Sequence, residues 1–92
     1  MTEIIIDFSE CKNGMDLHNV LKETLGFPDF YGANLDALWD SITGFIQLPE
    51  KIIFSGVKNL KTELYEYIKL IINIFQRAKI MYYNDLIITI ED

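Results

Sequence analysis

The 92-residue chain contains one cysteine, one histidine, one tryptophan and two prolines. A lone Cys11 cannot close an internal disulfide, so the fold must rest on its core, and the usage fits a reducing, cytoplasmic setting. Cys11 and His18 do not make a zinc ligand set, and the scattered carboxylates follow no calcium-loop spacing. No metal and no cofactor are expected. The longest apolar region, residues 64–75, carries Glu66, Lys69 and Asn73 and is too short to span a bilayer. A basic segment followed by an apolar one, as in a secretory signal, is absent from the N-terminus. Basic residues are also scarce: 8 Lys and Arg face 14 Asp and Glu, a net charge of −6. That balance argues against DNA or RNA as ligand, because affinity for a phosphate backbone comes mainly from cations. It points instead to a basic protein partner reached by electrostatic steering. Half of the residues are hydrophobic, enough for one core, and a single domain over 1–92 is expected.

The hydrophobic pattern alternates strand and helix. Glu3-Ile4-Ile5-Ile6-Asp7-Phe8 reads as a buried strand of a parallel sheet. Residues 16–25 read as a helix with Met15, Leu17, Val20, Leu21, Thr24 and Leu25 on its core face and Gly26 as its stop. His18 falls at the boundary of that face. Lys51-Ile52-Ile53-Phe54 is a second strand, and Ser55-Gly56-Val57 turns the chain. From about Thr62 the apolar residues Leu64, Tyr67, Ile68, Ile71, Ile72 and Phe75 recur at helical spacing. Leu70 and Ile74 widen that arc, which predicts cover on more than one side. Asn84-Asp85 ends the helix, and Leu86 to Ile90 is a third strand. Strands separated by helices imply parallel pairing through crossovers. The expected class is α/β: a three-stranded parallel sheet packed with helices.

The stretch from Gly26 to Phe45 carries the densest signals. Gly26 and Pro28 interrupt regular structure, and Gly32 permits a tight turn. Asn34 is placed to cap a helix over 34–44, with Gly44 available for the left-handed position after its last turn. Leu35, Leu38, Trp39 and Ile42 make an apolar stripe, while Asp36, Asp40 and Thr43 make a polar one. Two aspartates at i, i+4 repel by roughly 0.2–0.5 kcal/mol, and Asp40 sits at the unfavourable end of the helix dipole. No Lys or Arg lies between Lys22 and Lys51 to neutralise them. The face is either solvated and merely acidic, or held negative for a positively charged partner. Phe30 and Tyr31 stand in the loop beside it, a combination of aromatic and charged groups common at interfaces.

Catalysis finds little support. Cys11 and His18 have no evident third partner for nucleophilic chemistry. Asp36 and Asp40 lie side by side on one helix face, whereas glycosidase carboxylates face each other across a cleft. No oxyanion donor pair or Gly-rich phosphate cradle accompanies them. The chain is expected not to be an enzyme.

The sixteen residues from Phe30 to Phe45 closely resemble the signature of the barstar family, intracellular inhibitors of the extracellular ribonuclease barnase. Weaker similarity covers nearly the whole chain, including the first strand, Asp16-Leu17-His18 and the segment Phe75 to Lys79. The resemblance implies a three-stranded parallel sheet with helices. It also implies a monomeric cytoplasmic inhibitor that blocks a ribonuclease active site with the helix 34–44 and its preceding loop. Asp40 would enter the pocket that holds substrate phosphate, and Asp36 would meet basic groups at its rim. Phe30 corresponds to a tyrosine that packs on a catalytic histidine. Tyr31, Gly32, Asn34, Leu35, Trp39, Thr43 and Gly44 match directly, some as contacts and some as supports. Phe45 replaces a tryptophan, and Arg77 stands where the family has a glutamate that adds an acidic contact. These two departures favour an alternative in which the partner of this barstar-like module, or immunity protein, is not a barnase-type ribonuclease.

Overall fold

The computed structural model describes residues 2–91. Strands β1 (Glu3–Asp7), β2 (Lys51–Ser55) and β3 (Ile87–Ile90) form one sheet in the order β1-β2-β3, with both pairings parallel. Helix α1 (Gly14–Leu25) and helix α2 (Leu35–Asp40), which runs on into a π-helical turn (Ser41–Phe45), connect β1 to β2. Helix α3 (Thr62–Tyr82) connects β2 to β3. The α/β class with a three-stranded parallel sheet is therefore as expected from the sequence. Leu17 and Leu21 of α1, Leu38 and Ile42, and Ile68, Ile71 and Phe75 of α3 meet Ile6, Ile52 and Phe54 of the sheet in one core.

Four details differ from the sequence reading. Ile52, Ile53 and Phe54 are all buried, so β2 is the central strand, whereas β1 is an edge. In β1 the side chains alternate: Ile4 and Ile6 join the core while Ile5 is 55% exposed. A run of three isoleucines cannot distinguish an edge strand from a central one, because only neighbours cover the second face. In α1 the buried arc is Leu17, His18 and Leu21, which leaves Met15 outside it and exposed. Along α3, Ile74 is buried but Leu70 is 51% exposed, so the extra cover extends to only one of the two.

Both ends of α1 are capped, the second by the glycine that the sequence marks. Asn13 accepts a hydrogen bond from the Asp16 N–H at 2.8 Å to start α1. Gly26 ends it at φ 72°, with its N–H returning to the Lys22 carbonyl. Gly56 is fixed more tightly. It has φ 75°, and a Cβ there would lie 2.5 Å from both the Ser9 nitrogen and an Asp7 carboxylate oxygen. That oxygen accepts from the Ser9 N–H, which holds the Asp7 carboxyl below its ordinary pKa. The ends of β1 and β2 thus close on a point where a side chain does not fit. Gly56→Ala is expected to lose about 1–3 kcal/mol of stability from strained backbone and crowding together, measured by urea unfolding, with the secondary structure retained.

Candidate functional site

The loop between α1 and α2 turns one aromatic inward and the next outward. Phe27 is buried, and its ring centroid lies 4.8 Å from that of Tyr31. The Tyr31 N–H donates to the Pro28 carbonyl at 3.0 Å, closing the turn. The Tyr31 hydroxyl then reaches His18 Nδ1 at 2.6 Å, while His18 Nε2 meets the Tyr67 hydroxyl of α3 at 2.7 Å. His18 is only 2% exposed, so it is a core residue rather than a boundary one. Burial lowers its pKa and raises those of both tyrosines. A neutral imidazole has one donor and one acceptor. One tyrosine therefore donates to the ring, the other accepts from it, and loop, α1 and α3 are joined through a single side chain.

With Tyr31 held inward, Phe30 projects outward and is 71% exposed. Its ring meets Phe45, 57% exposed, edge-on at 5.4 Å. Loop and π-helical turn thus share an exposed aromatic pair. The tight conformation lies one residue later than expected: Ala33, not Gly32, has the positive φ, 53°. A non-glycine residue there costs about 1 kcal/mol. Gly32 instead avoids crowding, since a Cβ would meet that of Ala37 at 3.3 Å.

Asn34 caps α2 as expected, accepting from the Ala37 N–H at 2.8 Å. The end of this helix differs from the reading. After Asp40 the turn widens, and the Ile46 N–H donates to the Ser41 carbonyl at 3.1 Å. Gly44 is not left-handed. The Tyr83 hydroxyl, just past the end of α3, donates to the Ile42 carbonyl at 3.0 Å and supplies a partner that a left-handed cap would not. The Thr43 hydroxyl donates to the Trp39 carbonyl at 2.7 Å and is therefore engaged within the helix.

Asp36 and Asp40 are both exposed, and neither carboxylate has an ion-pair or hydrogen-bond partner among the described residues. Trp39 and Leu35 are half-buried against the core. Beyond Trp39, α3 contributes the Arg77 guanidinium, 4.9 Å from the indole centroid, and the ring of Tyr82 at 6.3 Å. Tyr82 is 61% exposed. Phe30, Asp36, Asp40, Gly44 and Phe45 therefore present surface, whereas Tyr31, Asn34, Leu35 and Thr43 hold it in place. Sequence reasoning missed the supports His18, Tyr67 and Tyr83 and the neighbour Tyr82. Each acts through contacts distant in sequence, and no local pattern marks them.

The other candidates for chemistry are occupied. Both His18 nitrogens bond to tyrosines. Burial, with the Asp16 and Asp7 carboxylates nearby, pushes the Cys11 thiol up to about 11, far from the thiolate form. Among the described residues no three His, Cys, Asp or Glu side chains come together as a metal site, and no helix is long and apolar enough to cross a membrane.

The chain as a whole has relatives among known proteins. The family model described as "Barstar (barnase inhibitor)" matches residues 1–88. The chain belongs to the barstar family. It is also 40% identical over 79 residues to "Putative ribonuclease inhibitor YrdF" of Bacillus subtilis (strain 168), an alignment covering 86% of this chain and 87% of that protein. The architecture is barstar-like, and the barstar family is one of inhibitors rather than enzymes.

The His18 bridge predicts a pH dependence of stability. Its folded pKa lies below the ordinary 6.5, so between the two values the unfolded chain binds a proton that the folded chain excludes. This contribution is fully present above pH 6.5 and is lost as pH falls from there toward the folded value. Urea unfolding at pH 7.5 and 5.5 should show lower stability at 5.5 in the native sequence. The difference should be smaller in His18→Gln.

Proposed function

We propose that this protein is a cytoplasmic, monomeric inhibitor of a secreted basic ribonuclease. It acts by laying the surface formed by the 30–34 loop, α2 and the π-helical turn over the enzyme's active site. The observation that carries this reading is the pair of exposed carboxylates Asp36 and Asp40, unpaired on a capped helix beside the exposed Phe30–Phe45 pair. A ribonuclease must concentrate positive charge where it binds phosphates and stabilises developing negative charge. Carboxylates spaced one helical turn apart can occupy such a site in place of the phosphates. The repulsion they carry in the free protein becomes attraction in the complex.

In this reading Asp40 enters the phosphate pocket and meets its Arg, Lys and His groups, while Asp36 pairs at the rim. Phe30 stacks on a catalytic imidazole, and Phe45 supports that ring from the π-helical turn. Gly44 lets the partner backbone approach. Tyr31, Gly32, Asn34, Leu35, Trp39 and Thr43 fix the presentation. The match to the barstar family and the similarity to a protein named as a ribonuclease inhibitor support this choice of partner. A second reading, an immunity protein or binding module for a basic protein other than a barnase-type ribonuclease, is favoured by Arg77, a cation beside the acidic face.

Titration into assays of several small basic bacterial ribonucleases should reveal inhibition whose onset slows with added salt. Asp40→Ala should weaken it by about 2 kcal/mol or more, a hot-spot loss under a rule drawn partly from barstar itself. The same change should leave stability equal or a few tenths of a kcal/mol higher, because a like-charge pair is relieved. Loss of folding in Asp40→Ala, or unchanged inhibition, would make the stripe structural.

A further inference from the structure

Arg77 is the one feature of this surface that a uniformly basic partner does not explain. It is exposed on α3, its guanidinium carbon lies 4.9 Å from the Trp39 ring centroid, and no described carboxylate pairs with it. The residue whose ring it covers directly precedes Asp40 in α2. The cation rests on the indole and forms no salt bridge to Asp40. A guanidinium held over a ring keeps its N–H donors free around its edge, poised for a planar acceptor. Tyr82, also beside Trp39, extends the same exposed flank.

The surface therefore has two signs: a negative stripe on α2 and a fixed positive edge on α3. Against a partner that is positive throughout, Arg77 would be repelled, and its removal would strengthen binding. Resting on the reading above, we propose that Arg77 is a specificity-determining contact. Its partner is a ribonuclease whose basic phosphate site is bordered, on the side facing α3, by a carboxylate that accepts a paired hydrogen bond from the guanidinium. Nucleases with a lysine or arginine at that place are rejected by like charge, while those with the carboxylate are admitted. Arg77 sorts among basic enzymes, and Asp36 and Asp40 bind what is admitted.

The test uses a small basic ribonuclease that the native protein inhibits, with inhibition constants for Arg77→Glu, Arg77→Gln, Arg77→Lys and Asp40→Ala. The sign of the Arg77→Glu effect decides. The proposal expects weakening by about tenfold or more, less for Arg77→Gln and least for Arg77→Lys, which keeps the charge. Replacing the facing nuclease carboxylate with lysine should restore inhibition by Arg77→Glu. Tighter or unchanged inhibition by Arg77→Glu overturns the proposal while leaving Asp40 in its role. Equal weakening by Arg77→Lys and Arg77→Glu also overturns it, since stacking on Trp39 rather than charge would then matter. If no nuclease is inhibited, or Asp40→Ala has no effect, the parent reading itself falls. Circular dichroism establishes folding, and Arg77→Gln supplies the comparison should Arg77→Glu not fold.

Discussion

One imidazole, wedged between two tyrosine hydroxyls, sets where the acidic surface begins. His18 joins Tyr31 of the loop to Tyr67 of α3 across 13 and 49 residues of sequence. With Tyr31 drawn inward, its neighbour Phe30, in the turn that Tyr31 closes on Pro28, faces solvent. The chain then passes through the strained Ala33 to the Asn34 cap. A loop without regular hydrogen bonding would ordinarily sample many positions, and ordering it opposes folding by about 1–2 kcal/mol per residue. The bridge and the Phe27–Tyr31 contact offset this within the chain itself.

The opposite end of the surface is held by a different device. Where α2 reaches Asp40 the helix widens rather than stopping, and Tyr83 supplies a hydrogen bond to the loosened Ile42 carbonyl. The wide turn brings Phe45 against Phe30. Both supports come from outside α2, which leaves the helix's solvent face free of structural duty. A surface designed that way can carry Asp36 and Asp40 unpaired, because their repulsion is small beside the packing of Leu38 and Ile42 in the core. Negative charge kept without a neutralising partner is a cost to the free protein.

Much of the fold was legible because it is written in local patterns. The three β-branched runs mark the strands, the spacing of Leu64, Ile68, Ile71 and Phe75 marks α3, and Asn34 marks the start of α2. The edge position of β1 was not legible, because exposure of Ile5 depends on which strands lie beside it. The same is true of His18, whose burial rests on hydroxyls from two distant elements. The π-helical turn depends on Tyr83, forty-one residues beyond Ile42. A glycine at position 44 suggested a left-handed stop, but the helix widens there and Tyr83, just past α3, satisfies the Ile42 carbonyl. The acidic stripe itself was visible as a missing lysine. The sequence also contained Arg77, but not that its guanidinium rests on Trp39.

Occlusion of an enzyme's phosphate site is most directly tested by competition. Binding of this protein to a small basic ribonuclease, followed by calorimetry, can be measured at rising concentrations of a mononucleotide that occupies the active site. If Asp36 and Asp40 stand in for substrate phosphates, the apparent Kd rises linearly with nucleotide concentration, without levelling off, and the two ligands never bind together. An apparent Kd that stays constant as the nucleotide saturates the enzyme would contradict that placement.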